Sequence, residues 1–368
     1  MIIKKIENKN IIWFKDSNEY IVVEPLVAET LSLLYKNIDK QTIITKISNK
    51  INIPLQEIEN LIADINSLLN SQNSTKRDLP PILKPKKFEY EKFYQVNDIT
   101  FKVHYLSEYE YSLVHPKFAY LEGNINKKIT HHFEVYSDKK HICFAINNNV
   151  IGTWTLNNVH YFQGKFSMKI TELIHHKPEN QWLGVFHASA ISNGKNSMLF
   201  LGDSGNGKST SLALLQANRF TCLADDFVPV DAKKQEVYSF PSAISIKKNS
   251  LTTLLPIYPE LQNSAEYHFK RLNKIVRYLP TNNTNYKQKE KCKALVFIKY
   301  KKDSDLIINK IPNTKAFEQL VPDSWLSPIQ ENVEVFLNWF SNLPCYQLTY
   351  SNNSKMITTV SKIFNDEL

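Results

Sequence analysis

Ser197-Met198-Leu199-Phe200-Leu201-Gly202-Asp203-Ser204-Gly205-Asn206-Gly207-Lys208-Ser209-Thr210-Ser211-Leu212-Ala213-Leu214-Leu215 joins an apolar, strand-like run to a helix start through a glycine-rich turn. The pattern is GxxxxGK[ST] in the strand–loop–helix setting that a phosphate-binding loop requires. Glycines let the backbone curl around an anion without a Cβ in the way. Exposed N–H groups and the helix N-terminus then face the phosphates. Gly202, Asp203, Ser204, Gly205, Asn206, Gly207, Lys208, Ser209 and Thr210 are the candidate nucleotide-binding residues. Lys208 supplies a mobile positive charge, and the Ser209 hydroxyl is a candidate Mg²⁺ ligand.

The rest of the chain sharpens this reading. It has 368 residues but only eight glycines, and three of them fall at 202, 205 and 207, with none after. Downstream, Phe220-Thr221-Cys222-Leu223-Ala224-Asp225-Asp226-Phe227 is a β-prone run ending in two adjacent carboxylates. A carboxylate at such a strand end holds Mg²⁺ in phosphate-loop enzymes, and a second can accept a proton from an attacking hydroxyl. Asp225 is assigned to the metal, and both aspartates are candidates for the base. His187 precedes the strand that enters the loop. The other nine histidines form no metal-binding pattern.

Working outward, residues 1–70 read as a small α+β unit. Ile11–Phe14 and Tyr20–Val23 suggest a hairpin, Pro25 opens a helix, and apolar residues at helical spacing mark two more helices through Leu69. A hairpin with three short helices is a winged-helix-like arrangement. Residues 71–88, with Pro80, Pro81 and Pro85, read as a linker. Residues 89–186 are rich in aromatic and β-branched residues and predict short strands, among them 133–136, 141–146 and 150–156, either as a segment of their own or as an integral part of the domain that follows. Residues 187–368 alternate strand-like and helix-like runs, which predicts an α/β core.

Composition excludes several classes. No apolar run approaches the ~20 residues of a membrane span. The start, Met1-Ile2-Ile3-Lys4-Lys5-Ile6-Glu7, has no signal-peptide core. Four scattered cysteines without a CxxC pair support neither a disulfide framework nor zinc. The expectation is a cytoplasmic protein with reduced thiols. The net charge of +9 lies outside residues 1–75, which carry eight Lys against nine Asp and Glu. Between Lys50 and Lys76 there is no cation, so the third helix is poorly suited to DNA phosphates, and nucleic acid is not an expected partner.

The sequence resembles the HPr kinase/phosphorylase-like kinases, whose core is related to phosphoenolpyruvate carboxykinase. The resemblance rests on His187-Ala188-Ser189-Ala190, Leu201 to Thr210, Leu223-Ala224-Asp225-Asp226 and Phe240-Pro241-Ser242-Ala243-Ile244, in that order. It implies an α/β kinase core that binds ATP and Mg²⁺. It also places His187 near the phosphates, and makes Lys247 and Arg277 candidate contacts to the transferred phosphate or the acceptor; a solvated surface position is the alternative for each. Thr210 stands where the bifunctional members have Glu, and their glycine-containing C-terminal signature is absent. Both departures argue against HPr as the substrate and against phosphorylase activity.

The N-terminal unit resembles PqqD-like peptide-recognition domains of enzymes that modify ribosomally made precursor peptides. That resemblance implies a leader peptide captured as an added strand. The leading expectation is a kinase that phosphorylates a Ser or Thr of such a peptide, with the phosphate either final or removed by a downstream lyase. A kinase for a small molecule such as free serine and a nucleotide-gated peptide scaffold are the alternatives. A homo-oligomer is left open.

Overall fold

The computed structural model describes residues 1–71, 79–123, 128–269 and 274–368. Residues 72–78 of the expected linker lie outside them, as does Asn124 of the turn that Glu122-Gly123-Asn124 predicts. The chain is a mixed α/β protein with several sheets. It divides into two compact units, one of Met1–Arg77, Ile311–Pro322 and Leu326–Asn342, the other of the remaining residues.

In the first unit, strands Ile2–Ile6, Lys9–Phe14 and Glu19–Val23 form an antiparallel sheet in that order. Helices Pro25–Tyr35, Lys40–Ser48 and Leu55–Ser71 follow. Pro25 fits the first turn, where its missing N–H has no partner to lose. The Asp39 side chain caps the second helix by accepting the Thr42 N–H at 2.9 Å. Alternation along the middle strand sends Ile12 and Phe14 toward the helices, where they pack with Ala28, Leu31 and Ile65.

The opposite face of that sheet is also covered. Trp13 is fully buried and sits across from Tyr20 in register. The Tyr20 ring meets Phe317 at 5.8 Å and Phe336 at 6.0 Å. These come from helices Asn313–Leu320 and Gln330–Ser341, far away in sequence. Glu7 accepts the Asn313 N–H at 2.9 Å, and Lys4 donates to Asn338 at 2.6 Å. Most of residues 311–342 was expected in the C-terminal core and belongs instead to this unit. The reason is physical: aromatic side chains on two helices bury the second face of a sheet, and local periodicity does not report such a distant partner.

In the second unit, the β-rich segment folds into a five-stranded sheet, Tyr90–Val96, Ile99–Tyr105, His131–Ser137, His141–Ile146 and Asn149–Thr155, adjacent in that order. Helix Glu108–Phe118 makes the crossover between its one parallel pair. Helix Val159–His175 packs Phe162 and Phe166 onto Phe144, at 6.1 and 5.1 Å between ring centres. Phe118 continues this aromatic core to Phe240 at 5.9 Å. The segment shares a compact unit with residues 187–310, the second of its two expected placements.

The large sheet positions the site. Strands Thr221–Asp225, Ser189–Ser192, Asn196–Leu201 and Lys289–Tyr300 lie side by side in that order. The last is long enough to pair at its start with Glu236–Tyr238 and at its end, in parallel, with Cys345–Tyr350. Helices Lys208–Ala217 and Asn353–Phe364 pack Leu212, Leu215, Met356 and Val360 against Phe200, Val296 and Leu348. A separate three-stranded sheet, Ile244–Lys247, Lys274–Leu279 and Tyr267–Phe269, follows the aspartate pair in sequence. Among the described residues no helix is long and apolar enough to cross a membrane.

Candidate active site

The glycine-rich loop leaves the C-terminal end of Asn196–Leu201 and enters helix Lys208–Ala217. Gly202, Gly205 and Gly207 all have positive φ, which other residues adopt at a cost. Gly207 is the N-cap, so no side chain claims the first-turn N–H groups. Lys208 is buried, and its ammonium donates to the backbone carbonyls of Gly202 and, at 3.4 Å, Asp203. The loop is thus curled around its own lysine.

Asp225 ends the strand two positions away in the sheet and is fully buried. The Ser209 hydroxyl donates to its Oδ2 at 3.1 Å. Ser189 donates to Oδ1 at 2.6 Å, and the Ser245 N–H to Oδ2 at 3.1 Å. The Ser242 hydroxyl holds the Asp225 carbonyl at 3.0 Å. Burial first, and then the charge of Asp226, push the Asp225 pKa up to about 6 against these hydrogen bonds. Every Asp225 acceptor therefore already faces a donor.

Asp226 is different. It has a positive φ of 64°, a conformation in which Asp is tolerated but strained. Its carboxylate lies 3.8 Å from Lys117 Nζ and 4.0 Å from His187 Nε2. It is partly exposed, where Asp225 is not. Lys117 comes from the crossover helix of the five-stranded sheet, and its carbonyl accepts the Ala243 N–H at 2.9 Å. Pro116 and Ala243 also line a cavity of about 180 Å³ with Ala119, Tyr120, Tyr267 and Tyr278.

The other candidates divide. His187 joins the aspartates. Lys247 reaches the loop and donates to Ser204 Oγ at 2.9 Å. Asn206 closes the turn by donating its N–H to Asp203 O at 3.2 Å, and its side-chain amide meets the Asp203 carboxylate at 3.5 Å. Thr210 turns away to Ser250, at 2.7 Å between hydroxyls. Arg277 is not brought to the loop. Its guanidinium holds the carbonyls of Leu261 and Gln262, the latter at 2.7 Å, and the Glu266 carboxylate at 3.3 Å.

Sequence reasoning missed Lys117, Ser189 and Ser245 as site residues. Ser189 and Ser242 did lie inside the quoted motifs, which was the available signal. Lys117 had none, because its approach depends on the crossover helix.

The donor set suits the ligands expected from the sequence. Ser209 and Asp225 present hard oxygens side by side, and Mg²⁺ is commonly held by one or two protein oxygens plus phosphates and water. Among the described residues no group of three or more His, Cys, Asp or Glu gathers as a metal site. Neither a scan of protein-family models nor a search of curated proteins finds a match to this chain.

Proposed function

We propose that the chain is an ATP-dependent kinase that phosphorylates a Ser or Thr hydroxyl of a ribosomally made precursor peptide. The observation that carries this reading is the Ser209–Asp225 hydrogen bond of 3.1 Å at the foot of the Lys208 loop, with a second, more open carboxylate beside it. Mg²⁺ held there would neutralise charge on the terminal phosphates. Lys208 exchanges its backbone carbonyls for phosphate oxygens, and the loop N–H groups orient them. Asp225, fixed beside the Ser209 hydroxyl by the Ser189 and Ser245 donors, is the metal-side carboxylate. Asp226 is the base: the acceptor oxygen bonds to the γ-phosphorus as the bond to ADP breaks, and the hydroxyl proton passes to Asp226. Lys117 and His187 flank that carboxylate and would steady the charge around it.

The peptide half of the proposal rests on the first unit. Glu19–Val23 is an edge strand of its sheet, which suits a peptide added as a further strand. Holding the leader raises the effective concentration of the acceptor without tight binding at the aspartates.

The test is intact-mass spectrometry of precursor peptides encoded beside the gene, incubated with the protein and Mg-ATP. One added phosphoryl group, absent with Lys208→Ala and with Asp226→Asn, is the expected result. Binding of both ATP and peptide without any mass gain would replace the kinase by a scaffold. Phosphorylation of free serine, with no peptide binding, would replace the peptide by a small molecule.

A further inference from the structure

The loop has a second flank, opposite Asp225. Strand Lys289–Tyr300 is the parallel neighbour of Asn196–Leu201, whereas Thr221–Asp225 lies on the other side. Tyr300 therefore ends at the same edge of the sheet as the loop and Asp225, with the loop between them. Its N–H donates to the Asn206 carbonyl at 2.9 Å. A Cβ added at Gly207 would lie 3.2 Å from the Tyr300 Cβ, so the side chain is rooted against the turn that precedes Lys208. The ring meets Tyr350 edge-to-face at 5.6 Å. Tyr350 is in turn fixed to the loop helix, through its hydroxyl and that of Ser211, 2.7 Å apart. Both anchors are firm, yet Tyr300 is 47% exposed.

We propose that Tyr300 is the stacking platform for the base of the nucleotide whose phosphates occupy the glycine-rich loop. This rests on the nucleotide reading above and adds the half of the ligand that reading leaves unplaced. A nucleoside triphosphate with its terminal phosphates between Lys208 and the Ser209–Asp225 pair carries its nucleoside away from Asp225, toward the other flank. A purine is a flat π-surface, and an anchored, half-exposed tyrosine ring is the group that stacks on it.

Calorimetric titration of the full chain separates the base from the phosphates. The probes are Mg²⁺ with a non-hydrolysable ATP analogue, and Mg²⁺ with inorganic tripolyphosphate. The wild type is expected to bind the analogue more tightly. Tyr300→Leu keeps bulk against Gly207 and removes the ring; it is expected to weaken the analogue by roughly tenfold or more, the loss of one base–aromatic stack, and to leave tripolyphosphate unchanged. Tyr300→Phe is expected to bind as wild type. Unchanged analogue affinity in Tyr300→Leu overturns the platform, as does an equal loss of both ligands, which marks a role in shaping the loop. A wild type that binds neither probe overturns the nucleotide reading itself, and the platform with it.

Discussion

Asp225 is a carboxylate held where carboxylates are costly. Its folded pKa is pushed up to about 6, whereas the unfolded chain ionises an Asp near 4. Between about pH 4 and pH 6 the native state keeps a proton that the unfolded state has released, so stability falls as pH rises through that window and the full cost remains above it. Asp225→Asn removes this cost. It is expected to stabilise the ligand-free protein at about pH 7.5 by on the order of 1–3 kcal/mol, with the gain gone near pH 4. Thermal melts at the two pH values check it, and a destabilised variant at the higher pH refutes it. The same variant is expected to lose phosphoryl transfer. In the wild type, protonation of Asp225 competes with Mg²⁺, so turnover is expected to fall on the acid side, with the fall moving to lower pH as Mg²⁺ is raised. The adjacent carboxylates were legible as a pair, because a strand-like run ends on them. The difference between their surroundings was not, since it depends on Ser189 and Ser245, which are 36 and 20 residues away.

The loop is an element whose residue types follow from its backbone. Gly202 has φ 132°, and a Cβ there would meet the Ile298 carbonyl at 2.8 Å. Gly205 has φ 103° with nothing within 4 Å. Gly202→Ala therefore carries both backbone strain and a clash with a fixed strand, and Gly205→Ala the strain alone, which is of order 1–3 kcal/mol for such conformations. The expected order of lost thermal stability is Gly202→Ala above Gly205→Ala, measurable by melting each without ligand; the reverse order would mean that the strand end yields. This element was readable because strand, glycines, lysine and helix start are contiguous. So were the helices through Leu69, since apolar spacing and Pro25 act locally. The strand Ile2–Ile6 was not, because its residue types do not follow its alternating burial, with Lys4 on the more covered side and Ile3 exposed, and its partner supplies most of the apolar surface. Nor was the course of Ile311–Pro322 and Leu326–Asn342, whose aromatic faces read equally well as part of any α/β core.

At the scale of the whole molecule, that course changes what a truncation means. Ile307–Lys310 and Cys345–Tyr350 are antiparallel neighbours, with Lys310 across from Tyr346. The two helices between them are thus an excursion from a hairpin, and their aromatic faces pack in the first unit. Deleting residues 1–75 alone strips the sheet from Phe317 and Phe336 and exposes that surface. Returning a buried Phe side chain to water costs about 1.5–3 kcal/mol for each one fully buried. Such a truncation is expected to bind a hydrophobic dye and to aggregate, and its inactivity would say nothing of peptide recognition. Removing Ile311–Asn342 as well, with a short turn joining Lys310 to Leu343, closes the hairpin, at the cost of the packing of Trp325 near Trp182. This double excision is expected to stay monodisperse, to keep Mg-nucleotide binding and to lose leader-peptide binding. Light scattering and calorimetry on both forms decide the matter. A well-behaved single truncation would mean that the helices do not need the sheet they cover. A double excision that still binds leader would move peptide recognition out of the first unit.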